Sequence, residues 1–405
     1  MLGPEGNNPG FRWLRQVPVW LAVALFGGLL AAPGMGAAEK RFTVELDAGL
    51  GYDSNAFLAP ERAFFDPFAG EIVVPRRQAG FFVPMSAEGE VVAEAGRARL
   101  VTTVDLEGKF FLENSLRHAD SQAVRLQTML AIPVRRTGKW QTDFTIGPTL
   151  AYDRRIYVDR DTGLEATTRL SDQDLSDRYQ YGRHGLEAAL RLQGSPVSLA
   201  WHARVGKYDY REVPVLDSLD YLYYGSGGEV EIDLRKTLRL EIDVDYYLRD
   251  FEDRRARDLA GNLQEGTDRR YSYLDTAFLL RWRPARGWWL YAGYSLPRRE
   301  DEHAGYHDYT GNRYRGRLVY ASRQRWKVSA EWKYLDRDYP RAFAFDRPGM
   351  GGKSYETREG EVRGEWRLER GWRVWSGYEI VRQNSSDPRY HYERHLLSIG
   401  AGLDF

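Results

Sequence analysis

The stretch Phe42 to Tyr52, FTVELDAGLGY, decides the fold: Phe42, Val44, Leu46, Ala48, Leu50 and Tyr52 alternate with Thr43, Glu45, Asp47, Gly49 and Gly51. Successive side chains of a β-strand point to opposite faces, so this alternation gives one apolar and one polar face. The same division recurs downstream. Gly80 to Val92 sets Phe81, Val83, Met85, Ala87 and Val91 against Pro84, Ser86, Glu88 and Glu90. Ala98 to Leu112 sets Leu100, Val104, Leu106 and Phe110 against Arg99, Asp105, Glu107 and Lys109. Further runs cover 123–134, 140–152, 179–192, 197–211, 221–234, 238–250, 271–283, 288–296, 306–320, 325–335, 355–368, 371–382 and 390–405, about sixteen strands in all.

The connections alternate in length. "EAGR", "RRTGK", "QGSP", "RKT", "RPARG", "SRQ" and "ERG" are tight, whereas 53–78, 154–177, 251–270 and 336–354 read as long polar loops. Short turns on one rim, long loops on the other and an even strand number are the layout of a transmembrane antiparallel β-barrel with periplasmic turns and extracellular loops.

Composition agrees with export to a bacterial envelope. A 405-residue chain that is 42% apolar is too polar for a helical bundle, whose spans each need about 20 consecutive apolar residues. The stretch nearest to that is VPVWLAVALFGGLLAAPGMGAAEK. It follows Arg12 and Arg15 and closes on Gly36, Ala37 and Ala38, the layout of a cleavable leader over 1–38 ahead of a barrel over 39–405. With Cys 0, no disulfide is available. Lys+Arg 58 balances Asp+Glu 58, so no global charge draws nucleic acid, and any electrostatic role lies in how the charges are distributed.

Aromatic placement tells which solvent the apolar face meets. A soluble sandwich also alternates, but the fifth strand runs from Trp140 to Tyr152 on its apolar side. That is about 40 Å of strand, or roughly 28 Å of height at a tilt near 45°, close to the ~25 Å apolar band that aromatic girdles flank. Trp288 with Tyr294 and Trp326 with Tyr334 start similar bands. The apolar face is therefore expected to meet outer-membrane lipid, and the polar face a lumen. In lipid a strand persists only in a closed sheet, because an edge leaves backbone groups unsatisfied.

Two stretches carry a family likeness. The end of the chain, LLSIGAGLDF, puts Leu397, Ile399, Ala401, Leu403 and Phe405 on one face and resembles the C-terminal strand of bacterial outer-membrane barrels. That resemblance implies recognition by the barrel assembly machinery. GLGYDSNAF, Gly49 to Phe57, resembles the first strand and loop of a porin-like outer-membrane barrel group of proteobacteria, several of which accompany exopolysaccharide production. This likeness implies passage or export of envelope or exo-polysaccharide, with a separate periplasmic export component as partner.

Candidate functional residues follow from the polar phase. Expected lumen charges are Glu45 and Asp47, then Glu229, Glu231, Asp233, Glu241, Asp243 and Asp245. Opposite in sign is the ladder Arg313, Arg315 and Arg317, a cationic stripe facing acidic walls, which in a pore sets up a transverse field. The plainer account is that these charges solvate a channel wall and pair across strands. Tyr208, Tyr210, Tyr247, Trp289 and Tyr291 are inward rings suited to the apolar face of a sugar, as are Tyr223 and Trp375; the alternative is rim packing. A general or anion-preferring porin, and a structural or assembly barrel with a plugged lumen, are the competing functions.

Enzyme readings are poor. His391, Glu393 and His395 share a strand face and read as lumenal solvation rather than as a metal site, and this is not the helical H-E-x-x-H arrangement. Asp159 to Gly163 has a faint calcium-loop look without the later acidic ligand. No catalytic residue, cofactor or metal is expected.

Overall fold

A computed structural model describes residues 40–67, 70–155, 178–212, 216–322 and 325–405. The expected leader over 1–38 and the segment Asp159 to Gly163 lie outside the described residues. The chain opens with β1 (Lys40–Asp53), a small hairpin β2 (Phe64–Asp66) and β3 (Glu71–Val73), then β4 (Gly80–Ala95), β5 (Ala98–Phe111) and β6 (Ser121–Thr137). It continues through β7 (Trp140–Arg155), β8 (Tyr181–Gln193), β9 (Val197–Tyr210), β10 (Tyr221–Arg235), β11 (Leu238–Arg257) and β12 (Leu263–Trp282). The last strands are β13 (Trp288–Asp301), β14 (Tyr309–Ala321), β15 (Trp326–Tyr339), β16 (Lys353–Arg367), β17 (Trp372–Ser385) and β18 (Tyr392–Asp404). Apart from the β2–β3 hairpin, these strands form one closed antiparallel barrel of sixteen, sealed where β18 pairs β1 from Glu45↔Asp404 to Asp53↔Leu396.

The phase of every strand is fixed by what it faces. On β1, Phe42, Leu46, Leu50 and Tyr52 lie exposed on the exterior, while Asp53 is buried on the inner side. Outward tryptophans gather at the short-turn ends: Trp140, Trp282, Trp288, Trp326, Trp366 and Trp372 are all exposed there. Trp326 stacks on Trp366 at 4.8 Å. Nearer the long loops, Tyr294, Tyr314 and Tyr334 form an outward row at spacings of 5.0 and 6.0 Å. Amphipathic rings suit the two membrane interfaces, so the exterior is built for hydrocarbon between two wet edges.

Two expectations are corrected. Residues 251–270 are not a long loop: β11 and β12 each run for 20 residues to a turn where Asn262 N–H donates to Asp258 at 2.8 Å and Gly261 has φ 83°. Beyond the bilayer the outer face of that hairpin meets water instead of lipid, while Phe251 and Arg269 stay buried on the inner one, so its strands lose the apolar half of the alternation and read as loop. His391, Glu393 and His395 do not line the lumen. Glu393 and His395 share the outward phase of Leu397 and Ile399; His395 bonds Tyr378 Oη at 2.8 Å and Glu393 at 2.9 Å. His391 precedes the strand and sits 3.4 Å from Glu61.

GLGYDSNAF is a clasp on the barrel seam. Asp53, fully buried, accepts from Lys109 Nζ of β5 at 2.5 Å, from Arg394 Nη2 of β18 at 2.5 Å and from the Asn55 backbone at 3.0 Å. Asn55 in turn donates to Ala59 O at 3.0 Å and Glu393 O at 3.2 Å, and accepts from Ala59 N–H at 2.8 Å. Between these anchors Leu58 takes φ 56°, a left-handed conformation that a non-glycine residue holds only under such constraint. Phe57 then folds inward and packs with Phe82, Phe111 and Leu116, so the segment after β1 covers part of the inner wall. A Cβ at Gly51 would enter the Phe82 ring, and one at Gly400 would meet the Trp375 ring and the Ala48 carbonyl. Those glycines let large inward rings lie against the seam.

At the other end of the seam, Arg373 of β17 reaches Glu45 at 2.7 Å and Asp47 at 2.6 Å on β1 and Asp404 at 2.8 Å on β18. Removing one member of such a buried network leaves the others uncompensated, at a cost of about 3–5 kcal/mol. Asp53→Ala is therefore expected to lower the temperature at which the folded, fast-migrating band on a detergent gel converts to the unfolded one. An unchanged conversion temperature would mean that the clasp contributes nothing to closure.

Candidate functional site

The inward faces divide into a lower half near the short turns, where acids and bases pair, and an upper half near the long loops, where tyrosines and arginines gather. In the lower half β10 and β11 oppose Glu229 to Asp243, Glu231 to Glu241 and Asp233 to Arg239. Like charges directly opposite are destabilising, and cations relieve them. Arg239 reaches Glu231 at 2.9 Å and Asp233 at 2.7 Å, Arg281 pairs with Glu241, and Arg191 lies 3.8 Å from Glu229. Glu229, Glu231 and Glu241 bring carboxylate oxygens within 4.8 Å of one another, but these guanidinium groups already answer their charge. Asp245 is shared by His202 at 2.7 Å and Arg204 at 2.9 Å.

The arginine ladder is equally answered. Arg313 lies 3.5 Å from Asp275, while Arg315 and Arg317 both turn to Glu331, at 2.8 and 3.9 Å. Lys333 joins Glu331 and Glu359, and Lys327 and Arg363 join Glu365. Rather than an isolated cationic stripe, β14 to β16 carry a lattice of alternating sign.

Of the inward rings, the structure separates two groups. Trp289 and Tyr291 border a recess of about 270 Å³ at the short-turn rim, with Arg283 5.4 Å from the Trp289 ring. Tyr208, Tyr210 and Tyr247 belong to the upper wall, where they pack against buried Tyr221, Tyr271, Tyr273, Tyr309 and Tyr339. Tyr208 stacks on Tyr221 at 4.5 Å and Tyr247 on Tyr273 at 4.4 Å. The guanidinium of Arg249 bridges the two stacks, 5.3 Å from the Tyr221 ring and 4.8 Å from that of Tyr273. Arg299 lies 4.6 Å from Tyr271 and 4.8 Å from Tyr309, and Arg337 5.6 Å from Tyr309.

Sequence reading places Arg249 on the inward face beside Arg239, as the strand phase dictates, but misses Arg299 and Arg337. Its available signal was the inward doublet at spacing two, as in Tyr271-Ser-Tyr273 and Tyr247-Leu248-Arg249; what it lacked was the register that brings the inward rings and cations of β9 to β15 together. Among the described residues no carboxylate pairs with these three cations, and the Nε atoms of Arg249 and Arg337 are buried without a hydrogen-bond partner. A ring face offers a cation about 0.5–2 kcal/mol, whereas removing an ion from water costs several kcal/mol. The upper wall thus holds positive charge that its own residues do not neutralise.

The long-loop rim is laced together above this wall. Phe343 packs on Tyr306 at 5.5 Å, and Arg341 donates to Ala304 O at 3.0 Å. Phe64 of the β2–β3 hairpin meets Phe345 at 6.3 Å, and Arg389 lies 3.8 Å from the same ring. Asp217 joins Arg255 at 2.9 Å; burial alone would raise its carboxyl, but those hydrogen bonds bring it below the usual range. His307, in the β13–β14 loop, is pushed down to about 2, first by burial and then by Arg269, Arg299, Arg257 and Arg254 around it. Its backbone carbonyl accepts from Arg299 Nε at 2.8 Å and Nη2 at 2.6 Å.

No family model matches the chain, and no curated protein matches it by sequence. Among solved structures the chain is similar to OmpF of Salmonella typhi in complex with daunomycin, at 10% identity and a TM-score of 0.50 over 91% of this chain and 98% of that one. An anion-selective porin from Comamonas acidovorans aligns at 10% identity and a TM-score of 0.45, over 91% and 100% of the two chains. OccAB3 of Acinetobacter baumannii gives the same values of identity, TM-score and coverage. At this identity the likeness is one of fold, that of a sixteen-strand transmembrane barrel. Together with the lipid-facing exterior, it makes the cell outer membrane the location of this chain.

Because the depressed His307 stays neutral in the folded loop but takes a proton near 6.5 when the loop opens, opening is favoured as pH falls below that value. Between pH 7.5 and 5.5 local opening of 302–308 is expected to rise about tenfold, read by amide exchange corrected for intrinsic rates. In His307→Gln the dependence should vanish; a pH-independent wild type would contradict the burial of a neutral imidazole.

Proposed function

We propose that the chain is an outer-membrane channel for hydrophilic solutes rather than an enzyme. The observation that carries this reading is the closed sixteen-strand wall whose inner face bears ionised side chains from the short-turn rim to the long loops. Sixteen strands leave an interior wider than side chains fill, and the paired ions of its lower half keep that interior wet. The site residues of this channel are the paired ions Arg313, Arg315, Arg317, Glu229, Glu231, Asp233, Glu241, Asp245, Glu45 and Asp47, with Asp243 opposite Glu229 among them. A leader over 1–38 and recognition of the Phe405-ended strand by the barrel assembly machinery fit the same reading.

A second reading, passage of envelope or exo-polysaccharide with a periplasmic export component, is favoured by the tyrosine wall over β9 to β16. Tyrosine faces accept the apolar face of a pyranose, and their hydroxyls suit its polar edge. A barrel plugged by its loops is the structural alternative.

Purified protein in a planar bilayer discriminates among them. A diffusion channel conducts alone in stable steps, an export channel conducts only with a partner or after loop removal, and a plugged structural barrel conducts in neither case. In the conducting protein, Arg313→Glu, Arg315→Glu and Arg317→Glu together are expected to move the reversal potential toward cations. An unchanged reversal potential would remove β14 from the conducting path.

A further inference from the structure

The upper wall encloses a recess of about 260 Å³ bordered by Tyr247, Tyr273, Tyr309 and Tyr339 and by five arginines, Arg249, Arg298, Arg299, Arg313 and Arg337, of which Arg298 pairs with Glu300 at 2.6 Å. Its single acidic side chain is Asp275, which already faces Arg313 at 3.5 Å. Three cations remain, and all three are held in place by ring faces: Arg249 by Tyr273 at 4.8 Å, Arg299 by Tyr309 at 4.8 Å, Arg337 by Tyr309 at 5.6 Å. Lower in the lumen Arg239, Arg315, Arg317 and Arg363 each have an acid within reach. Excess charge, fixed orientation and an open recess coincide here.

We propose that this recess is a binding site for a carboxylated sugar residue, a hexuronate at one position of an acidic saccharide. The inference rests on the channel reading with saccharide passage and names its substrate class. A volume below the roughly 300–1,000 Å³ of drug-sized ligand sites accommodates a single sugar ring. Arginine presents its donors in a planar fork that matches a carboxylate, and among the described residues no acid pairs with the guanidinium groups of Arg249, Arg299 and Arg337 that border the recess. The stacked rings supply the surface on which the C–H face of a pyranose lies. A small inorganic anion would use the charge and leave the rings idle; a neutral sugar would use the rings and leave the charge unanswered.

The test is block of single-channel current by trigalacturonate, with maltotriose and sulfate as comparators and the free monomer, galacturonate, as a further arm. Trigalacturonate is expected to block at concentrations at which maltotriose and sulfate do not, and Arg249→Gln and Arg337→Gln are each expected to weaken the block at least about tenfold. Arg125→Gln, on the far wall where Arg125 pairs with Asp105, is expected to leave the block unchanged. Monomer binding with the same dependence on Arg249 marks a site for free uronates, and trimer-only binding a site for a chain; either supports the proposal. Equal block by maltotriose or by sulfate overturns it, as does a block indifferent to Arg249 and Arg337 in variants that keep the folded gel mobility. Should the barrel not conduct, binding of trigalacturonate in detergent, followed by tyrosine fluorescence, decides the site separately: binding keeps it while the channel reading falls, and no binding removes it.

Discussion

Everything else in the structure depends on closure of the sheet between its first and last strands. A strand edge in hydrocarbon exposes a row of backbone groups, each costing several kcal/mol, so the β1–β18 ladder is what allows the other strands to reside in lipid. The inner side of that ladder is fastened twice by ions. Asp53 gathers Lys109 and Arg394 near the long loops, and Arg373 gathers Glu45, Asp47 and Asp404 near the short turns. Both fastenings draw on strands that are far apart in sequence, so they form only in the closed state. The seam glycines belong to the same design, since they let Phe82 and Trp375 lie flat where ions and rings compete for space.

The alternation in FTVELDAGLGY was legible because its two faces meet two different solvents. Where the outer face no longer meets lipid, legibility fails. The extension of β11 and β12 beyond the apolar band has polar residues on its outer face and reads as a loop. In HYERH, Glu393 and His395 share their phase with Leu397 and Ile399, which places them outside, beyond the apolar band. Individual inward residues such as Arg315, Glu231 and Tyr247 follow from phase alone. Their partners do not, because Arg315 meets Glu331 and Arg249 meets Tyr273 only through register across neighbouring strands. The same limit hid the upper cluster, whose rings are scattered from Tyr208 to Tyr339 in sequence.

Two kinds of charge economy divide the lumen. In the lower half, acids placed opposite acids are relieved by arginines, which suits a wet wall that attracts no particular ion strongly. In the upper half, arginines lie on tyrosine faces with no acid opposite, which suits capture of an anion that also offers an apolar surface. The long loops reinforce that half: Tyr306, Phe343 and Phe345 tie successive loops into one rim, and His307 is held neutral among arginines beneath it.

The central claim is the assignment of one face to lipid and the other to water, and the cysteine-free sequence permits its direct test. Single cysteines placed in turn at Thr43, Val44, Glu45, Leu46, Asp47 and Ala48 are to be labelled in reconstituted membranes with a charged, water-soluble maleimide. The account predicts labelling of the cysteines at Thr43, Glu45 and Asp47 and protection of those at Val44, Leu46 and Ala48. Labelling without a two-residue period, or with the opposite phase, would contradict it.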